Sequence, residues 1–493
     1  MGICMQCFSA HKYPNVFLGN FSLSSFPTME AVELQVLANT GAANTSTQNL
    51  SRLNRASDSP EVGMMSKDSP VSETVQGEKD ASSVDNNTDS HETTKSQYRA
   101  REYLQLGALY WCMFLAGWND GSTGPLLPRI QEVYDVGYII VSLIFVFACV
   151  GFISGACLNV PLSEKLGFGK TIVLGSVLQQ TAYALQAPQL PFPVFVMAFT
   201  INGIGLALED AQSNGYVASL KQHSETKMGL LHATYGAGAL CAPLVATQFY
   251  KMEHWSFHYL VSLSIATINT VVQIAVFRFK TQDDCLAQIG QEPGEKGTSE
   301  RSHFRQILSL RTVHLLALFI LVYVGVEVTV GGWIVTFIQK VRGGGSQSGY
   351  ISAGFFGGLM LGRIVLLWVN QKVGERRVLY LYSSLAIGLE IVIWLVPSLI
   401  GDGVAIAIVG MLLGPMYPIT MNHTGRVLPR WLLTGSIGWI AGFGQAGSAV
   451  LPFMTGALAS KFGITSLQPL LISMMAFMTI LWALVPGGPR KSD

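Results

Sequence analysis

A bilayer-length apolar segment carries a carboxylate in its second half. Residues 104–127 read LQLGALYWCMFLAGWNDGSTGPLL, with Asn119 and Asp120 among its few strongly polar side chains. At about 1.5 Å per residue, a helix of this length crosses the ~30 Å hydrocarbon core of a bilayer. A charge at that depth costs at least ~2.5 kcal/mol, so it should face a protein interior or a water-filled cavity. We therefore predict a membrane span in which Asp120 is functional. The alternative is an acid at the helix end, or one that only fixes a neighbouring helix.

The low charge of the chain extends this prediction to most of its length. Hydrophobic residues make up 49% and charged residues 12%, whereas soluble domains carry about 25% charged residues. A net charge of +1 offers no basic surface, so we expect no nucleic-acid partner. The seven cysteines fit neither a disulfide framework nor zinc spacing. We predict no metal site and no cofactor. Without a Walker loop or a nucleophile constellation, we expect neither an ATP-driven pump nor an enzyme.

The N-terminal region differs from the rest in composition. Residues 39–97 are rich in Ser, Thr, Asn and Asp and nearly free of aromatic residues. Such a segment buries too little apolar surface to offset the entropy lost on ordering. We predict that residues 1–97 form a disordered tail.

Apolar runs of membrane-spanning character recur twelve times after the tail. They lie at residues 104–127, 138–160, 171–187, 192–214, 228–249, 257–279, 313–338, 348–369, 376–396, 403–423, 434–458 and 466–486. This spacing predicts twelve transmembrane helices.

The distribution of Lys and Arg predicts the orientation of these spans. The side that holds the N-terminus has twenty: Lys95, Arg99, Arg101, Lys165, Lys170, Lys221, Lys227, Arg278, Lys280, Lys296, Arg301, Arg305, Arg311, Lys372, Arg376, Arg377, Arg426, Arg430, Arg490 and Lys491. The other side has five: Arg129, Lys251, Lys340, Arg342 and Lys461. We therefore predict that both termini are cytoplasmic.

The chain repeats itself once at an offset of about 208 residues. Gly117–Asp120 corresponds to Gly325–Val328, which aligns the fragment Trp-Asn-Asp with Val-Glu-Val. The loop Leu162–Lys170 corresponds to Val369–Arg377. Glycine and proline in the fifth run likewise match those in the eleventh. The pattern predicts a parallel duplication about an axis along the membrane normal. Its two six-helix halves are residues 98–280 and 312–493, joined by a cytoplasmic linker at 281–311.

Acids inside the other apolar runs are further candidates for function. Asp210 and Asn214 are four residues apart and share one helix face, whereas Glu209 lies about 100° around the helix. His232, on the next run, is placed to contact Asp210, although a packing histidine is the alternative. Glu327 occupies the position in the second half that corresponds to the Asn119–Asp120 pair.

The remaining candidates are an acid and two aromatic residues. Glu390 lies on a run that we expect at the bundle periphery, so we predict a structural role for it. Trp118 and Trp333 lie near the acids, where an indole ring can stack on a sugar. Ordinary helix packing is the alternative for both.

Six motifs carry a resemblance to a known family. They are WNDGSTGPLLP, LEDAQSNG, LLHATYGAGA, GVEVTVGGW, GYISAGFFGGLMLGR and GPMYPITMNHTGRVLPRW. Over residues 103–486 the chain resembles the major facilitator superfamily, within it a fungal branch described as bypass-of-stop-codon-like, and is distantly similar to bacterial fucose permeases. Those permeases use an acid within an Asn-Asp pair on the first helix and another within an acid-x-x-x-Asn pattern on the fourth. By resemblance these correspond to Asp120 after Asn119, and to Asp210 before Asn214.

The resemblance implies proton-coupled uptake through a central cavity by alternating access. We predict an all-α membrane protein with the major facilitator fold that acts as a symporter of a small polar, sugar-like solute. The predicted proton-coupling residues are Asp210, Glu327 and His232. The predicted substrate-binding residues are Asp120, Asn119, Asn214, Trp118 and Trp333.

The predicted partners are the solute, protons and the lipid bilayer, and the chain is expected to act as a monomer. Its expected location is the plasma membrane or an endomembrane such as the vacuole. Two other classes stay open. One is an exporter of small hydrophobic metabolites or drugs by proton antiport, and the other is a membrane receptor or scaffold that transports nothing.

The charge distribution makes the orientation testable. In sealed vesicles of known sidedness, a protease on the cytoplasmic side should cleave the tail and the linker near Gly294, because both lie on the lysine-rich and arginine-rich side. Immunoblotting of the fragments reads out the cleavage. Cleavage of the tail only from the opposite side would contradict the predicted topology.

Overall fold

The computed structural model describes residues 85–291, 306–428 and 430–487, and all regular secondary structure in these ranges is helical. Most of the predicted disordered tail, and the central part of the predicted linker, lie outside the described residues. Residues 85–97 belong to the first helix, and the boundary of the tail stays a prediction.

The described residues form sixteen main α-helices. They are α1 (Asp85–Tyr134), α2 (Tyr138–Val141), α3 (Leu143–Leu166), α4 (Phe168–Gln186), α5 (Phe192–Ala218), α6 (Ser224–Phe249), α7 (His258–Phe277), α8 (Gln282–Ala287), α9 (Arg311–Val341), α10 (Gly349–Val365), α11 (Leu367–Val373), α12 (Glu375–Leu395), α13 (Leu399–Leu413), α14 (Met416–Val427), α15 (Arg430–Phe462) and α16 (Leu467–Leu484). We call α1–α7 the N-terminal half and α9–α16 the C-terminal half.

Every apolar run predicted from the sequence falls on one of these helices or on a consecutive pair. Eight helical segments among the described residues are long and apolar enough to cross a membrane, and the bent pair α10 and α11, with 53° between them, makes nine. The runs in α1, α4 and α15 are helical but less apolar, because they carry side chains such as Asp120, Gln179 and Gln445. The all-helical membrane fold is confirmed, and the count of twelve spans stays a prediction.

The same helix pairings recur in the two halves. In the N-terminal half α1 packs on α6, α3 on α5, and α4 on α7, while in the C-terminal half α9 packs on α15, α10 on α13, and α12 on α16. Between the halves, α6 packs on α10 and α3 packs on α15. Helices at equivalent positions of the repeat therefore make equivalent contacts, which is the arrangement that a duplicated fold produces.

Contacts between the halves lie toward one end of the bundle and near its middle. We call the end with the connections at residues 135–137, 250–257 and 342–348 the outer end, and the opposite end the inner end, after the predicted orientation. Toward the outer end, the Tyr250 hydroxyl donates to Gln339 Oε1 at 3.2 Å. Nearer the middle of the spans, Cys149 Sγ donates to the main-chain oxygen of Gln445 at 3.2 Å. Both contacts join the halves.

Two glycines bring α1 and α6 into backbone contact. A Cβ added to Gly117 would lie 1.8 Å from the main-chain oxygen of Tyr235, and one added to Gly238 would lie 2.0 Å from that of Phe114. At the repeat-related crossing of α9 and α15, a Cβ on Gly447 would lie 2.0 Å from a main-chain oxygen. The repeated glycines are thus helix-crossing residues, as in other membrane bundles.

This packing predicts opposite effects for two glycine substitutions on the same helix. Gly117→Ala should destabilise the folded chain by about 1–3 kcal/mol, because the added methyl group forces α1 and α6 apart. Gly107→Ala is the matched control. A Cβ there meets nothing within 4 Å, and alanine favours a helix. Thermal unfolding in detergent measures both, and equal melting temperatures would contradict the close crossing.

Candidate functional site

Asp120 projects from α1 into open space between the halves. Its Oδ2 accepts a hydrogen bond from the Tyr235 hydroxyl on α6 at 2.6 Å, and its Oδ1 accepts one from Asn119 Nδ2 at 3.1 Å. The residue is exposed although its own helix is packed on several others. Asn119 is anchored more deeply, since its Oδ1 accepts from Tyr183 at 3.4 Å and also from Asn202. The N-terminal half thus presents a carboxylate and a phenol to one cavity.

The C-terminal half contributes an acid and a guanidinium group. Glu327 lies on α9, and Arg363 lies near the end of α10. Tyr323, one turn from Glu327, donates its hydroxyl to the main-chain oxygen of Leu413 at 3.1 Å and interacts electrostatically with both charged groups. The Arg363 Nε donates to the main-chain oxygen of Gly414 at 3.4 Å. Arg363 is therefore oriented from α13 while its charge lies beside Glu327.

The two sets of charged groups belong to one cluster. Asp120 and Glu327 interact electrostatically across the cavity, and Tyr235 interacts with both acids and with Arg363. Tyr417, on α14, completes the contact, because it interacts with Arg363 and Glu327 and also with Asp210. We call these residues the central cluster; its members are Asp120, Asp210, Tyr235, Glu327, Arg363 and Tyr417.

Arg363 was missed by the sequence reasoning, although a signal for it was present. It is a charged residue inside a predicted span, at residues 348–369, which is the same argument that selected Asp120. The preceding run GGLMLG packs on α13: a Cβ on Gly358 would lie 2.1 Å from the main-chain oxygen of Ala407. One stretch of α10 therefore packs on α13 and also supplies the positive charge of Arg363 to the cavity.

Asp210 and Asn214 share a face of α5, as their spacing predicted. Asn214 Nδ2 donates to both the main-chain oxygen and Oδ1 of Asp210, at 2.9 Å each. Asp210 and His232, which were predicted to be in contact, are not joined by a hydrogen bond among the described residues. His232 instead lies within the electrostatic reach of Arg363.

Glu209 points away from the cavity, into the interior of the N-terminal half. Its carboxylate accepts three hydrogen bonds of 2.8 Å, from Gln179 on α4 and from Asn269 and Gln273 on α7. The side chain is buried. Adjacent acids on one helix are thus divided between helix packing and the cavity, as a rotation of about 100° per residue requires.

Both tryptophans in the predicted substrate site are buried. The Trp118 indole stacks on His258 with 5.7 Å between ring centroids, and its Nε1 donates to Ser262 at 2.9 Å. The Trp333 Nε1 donates to the main-chain oxygen of Pro452 at 3.0 Å, and its ring packs on Phe145. In this conformation both rings pack between helices, as the alternative of ordinary helix packing predicts.

A cavity of about 450 Å³ with Arg363 in its lining lies within the C-terminal half, toward the inner end. Its polar lining includes Asn370, Gln371, Asn422 and Arg426, and Arg426 pairs with Glu375 at 2.9 Å. Both hydrogen-bond donors and hydrogen-bond acceptors line this cavity, which suits a polar solute.

These features define a multi-pass membrane transporter. The Major Facilitator Superfamily matches residues 109–430, about two thirds of the chain, and the chain belongs to it. This confirms the resemblance predicted from the motifs and indicates a transporter rather than an enzyme.

Individual relatives agree with that assignment. Bypass of stop codon protein 6 of Saccharomyces cerevisiae is 26% identical, over 78% of this chain and 82% of its own length. The glucose/mannose transporter GlcP of Bacillus subtilis is 21% identical, over 76% of this chain and 92% of its own. Among solved structures, a D-xylose–proton symporter has a TM-score of 0.66 at 12% identity, covering 78% of this chain and 98% of that one; it shows a shared fold.

The division between Glu209 and Asp210 predicts a difference in stability. Glu209→Gln should destabilise the chain by at least ~1 kcal/mol, because the new amide places N–H groups against N–H groups in a buried network. Asp210→Asn, its matched neighbour, should unfold close to the parent temperature in detergent. Equal losses in both variants would contradict the separate environments of the two acids.

Proposed function

We propose that the chain is a secondary active transporter that couples proton movement to the uptake of a small polar, sugar-like solute. The observation that carries the proposal is the central cluster, in which Asp120 and Tyr235 of one half face Glu327 and Arg363 of the other. Relatives named as glucose/mannose and glucose/galactose transporters support the sugar-like solute.

The first step of the proposal is solute binding at Asp120. A sugar hydroxyl group donates and accepts hydrogen bonds, so it needs partners of both kinds. The exposed Asp120 carboxylate accepts, the Tyr235 hydroxyl accepts while it donates to Asp120, and Asn119 holds the carboxylate in position. Arg363, across the cavity, is a donor without an acceptor role. The solute therefore bridges the halves.

The second step is the link between protons and closure. The central cluster contains three carboxylates, of Asp120, Asp210 and Glu327, and one guanidinium group, of Arg363. Closing the cavity around an excess of negative charge is costly in a low-dielectric interior. Proton uptake by Asp210 or Glu327 reduces that excess and lowers the cost of the occluded state. Proton binding thereby permits the halves to rock.

Other polar and aromatic residues support the central cluster. Asn214 holds the Asp210 carboxylate through its hydrogen bond, and His232 adds a second titratable group near Arg363. Trp118 and Trp333 support the helices that carry the site. The halves at residues 98–280 and 312–493 move relative to each other about the linker at 281–311, and both termini are cytoplasmic. The protein lies in the plasma membrane or an endomembrane such as the vacuole. A monomer is sufficient for transport. An exporter of hydrophobic compounds agrees less well with the charged and amide lining.

Proteoliposomes separate the two steps. Asp210→Asn should abolish accumulation of labelled sugar driven by a pH gradient while leaving counterflow exchange measurable, because the amide keeps the shape and loses the titration. Asp120→Asn should weaken binding about tenfold, which matches the loss of ~1.5 kcal/mol from a hydrogen bond to a charged group.

The control is Asp283→Asn, which removes an exposed carboxylate outside the cavity. It should transport like the parent. If Asp210→Asn and Glu327→Gln both concentrate sugar normally, neither Asp210 nor Glu327 carries the proton. If no sugar in a panel of hexoses and pentoses enters the parent vesicles under any gradient, the solute class is wrong.

A further inference from the structure

A basic pocket lies at the inner end of the N-terminal half, away from the central cluster. It has a volume of about 330 Å³ and is lined by Gln97, Tyr98, Arg101, Arg278, Lys280 and Gln288. We call this set the basic pocket. Three of its six lining side chains are cations, and none of the six is acidic. The transport cycle described above does not use it.

One wall of the pocket is built by α1 and α8. The Arg101 Nε donates to Gln288 Oε1 at 3.0 Å, and its Nη2 donates to the main-chain oxygen of Val276 at 2.5 Å. The Tyr98 ring packs against Gly290, which has a φ of +73° and no room for a side chain facing that ring. Arg101 is therefore held in place before any ligand arrives.

The opposite wall is a strained turn after α7. Arg278 and Phe279 are consecutive non-glycine residues with φ of 48° and 56°, a left-handed conformation that residues other than glycine rarely adopt. The turn is fixed because the Gly169 N–H donates to the Lys280 main-chain oxygen at 2.9 Å, and the Lys280 N–H donates to Phe277 at 2.9 Å. Strain retained in this way is typical of ligand-binding segments.

The turn presents two cations whose side chains make no hydrogen bond or salt bridge within the described chain. Both Arg278 and Lys280 are exposed. The nearby acid is Asp284, whose Oδ2 accepts from the Thr281 hydroxyl at 2.7 Å and from its N–H at 3.2 Å, so it caps α8 instead of filling the pocket. These hydrogen bonds lower the pKa of Asp284, which stays ionised.

The pocket lies at the level of a bilayer surface. Arg278 follows directly after the membrane-length segment Trp255–Phe277. Aromatic side chains at the same level are exposed, with Tyr103 at 70%, Phe279 at 47% and Tyr98 at 41%. Aromatic residues favour the membrane interface. The charge count assigns this end to the cytoplasm, where the membrane leaflet is rich in anionic lipids.

We propose that the basic pocket binds the phosphorylated headgroup of an anionic phospholipid from the inner leaflet. The Arg278 guanidinium and the Lys280 ammonium contact phosphate oxygens, since arginine matches phosphate with two parallel hydrogen bonds and lysine adds a compact charge. Arg101 supplies a fixed positive potential behind them, and the exposed aromatic side chains lie against the acyl and glycerol region.

Native mass spectrometry of the full chain, released from nanodiscs, tests this proposal. The probes are phosphatidylcholine nanodiscs with and without phosphatidylinositol 4-phosphate. The parent should retain the phosphoinositide, and the double variant Arg278→Gln with Lys280→Gln should retain it at least tenfold less. The control is Lys170→Gln with Arg377→Gln, which removes the same charges from two exposed inner-end residues outside the pocket. It should retain the lipid like the parent.

Three outcomes would overturn the proposal. Equal loss of lipid in the two double variants would show general attraction to inner-end charge. Unchanged retention in the pocket variant, with melting temperatures equal to the parent, would show that the pocket does not bind the headgroup. Competition by inorganic phosphate, or by soluble inositol phosphate as tight as the lipid itself, would make the ligand a free phosphate.

Discussion

The hydrogen bond between Asp120 and Tyr235 is the interaction on which the rest of the site depends. A carboxylate halfway along a membrane helix is stable only with a polar partner or water beside it. The 2.6 Å bond from Tyr235 supplies the partner, and the open space between the halves supplies the water. That bond also joins α1 to α6, so Asp120 is held by the helix that packs on α10 of the opposite half.

The glycines explain how this bond is possible. Gly117 lies one helical turn from Asp120 and contacts the backbone of Tyr235 itself. Any side chain at residue 117 would push α6 outward and take the Tyr235 hydroxyl away from the carboxylate. The close crossing of α1 and α6 therefore packs the two helices and also positions the Tyr235 hydroxyl beside Asp120. In the C-terminal half the repeat-related crossing of α9 and α15 holds Glu327 in the corresponding place. The two walls of the cavity therefore match in position, and the C-terminal wall adds the positive charge of Arg363.

The sequence predicted the parts of this account that follow from local chemistry. Apolar length and the cost of a buried charge identified the helices and Asp120, and helix periodicity separated Glu209 from Asp210. What it could not predict were contacts set by tertiary packing. The stacking of Trp118 on His258 and the position of Arg363 beside Glu327 depend on how helices distant in sequence meet. The contact of Arg101, near the start of the first span, with Gln288 at the end of α8 likewise depends on tertiary packing.

The central claim is that solute and protons move together, and proton influx on addition of solute tests it most directly. Proteoliposomes of the parent chain, loaded with a pH-sensitive dye and given glucose, galactose or xylose outside with no imposed gradient, should acidify inside as sugar enters. The acidification should disappear when a proton ionophore is present. Sugar entry with no change of internal pH would contradict proton coupling, and internal alkalinisation would indicate antiport instead.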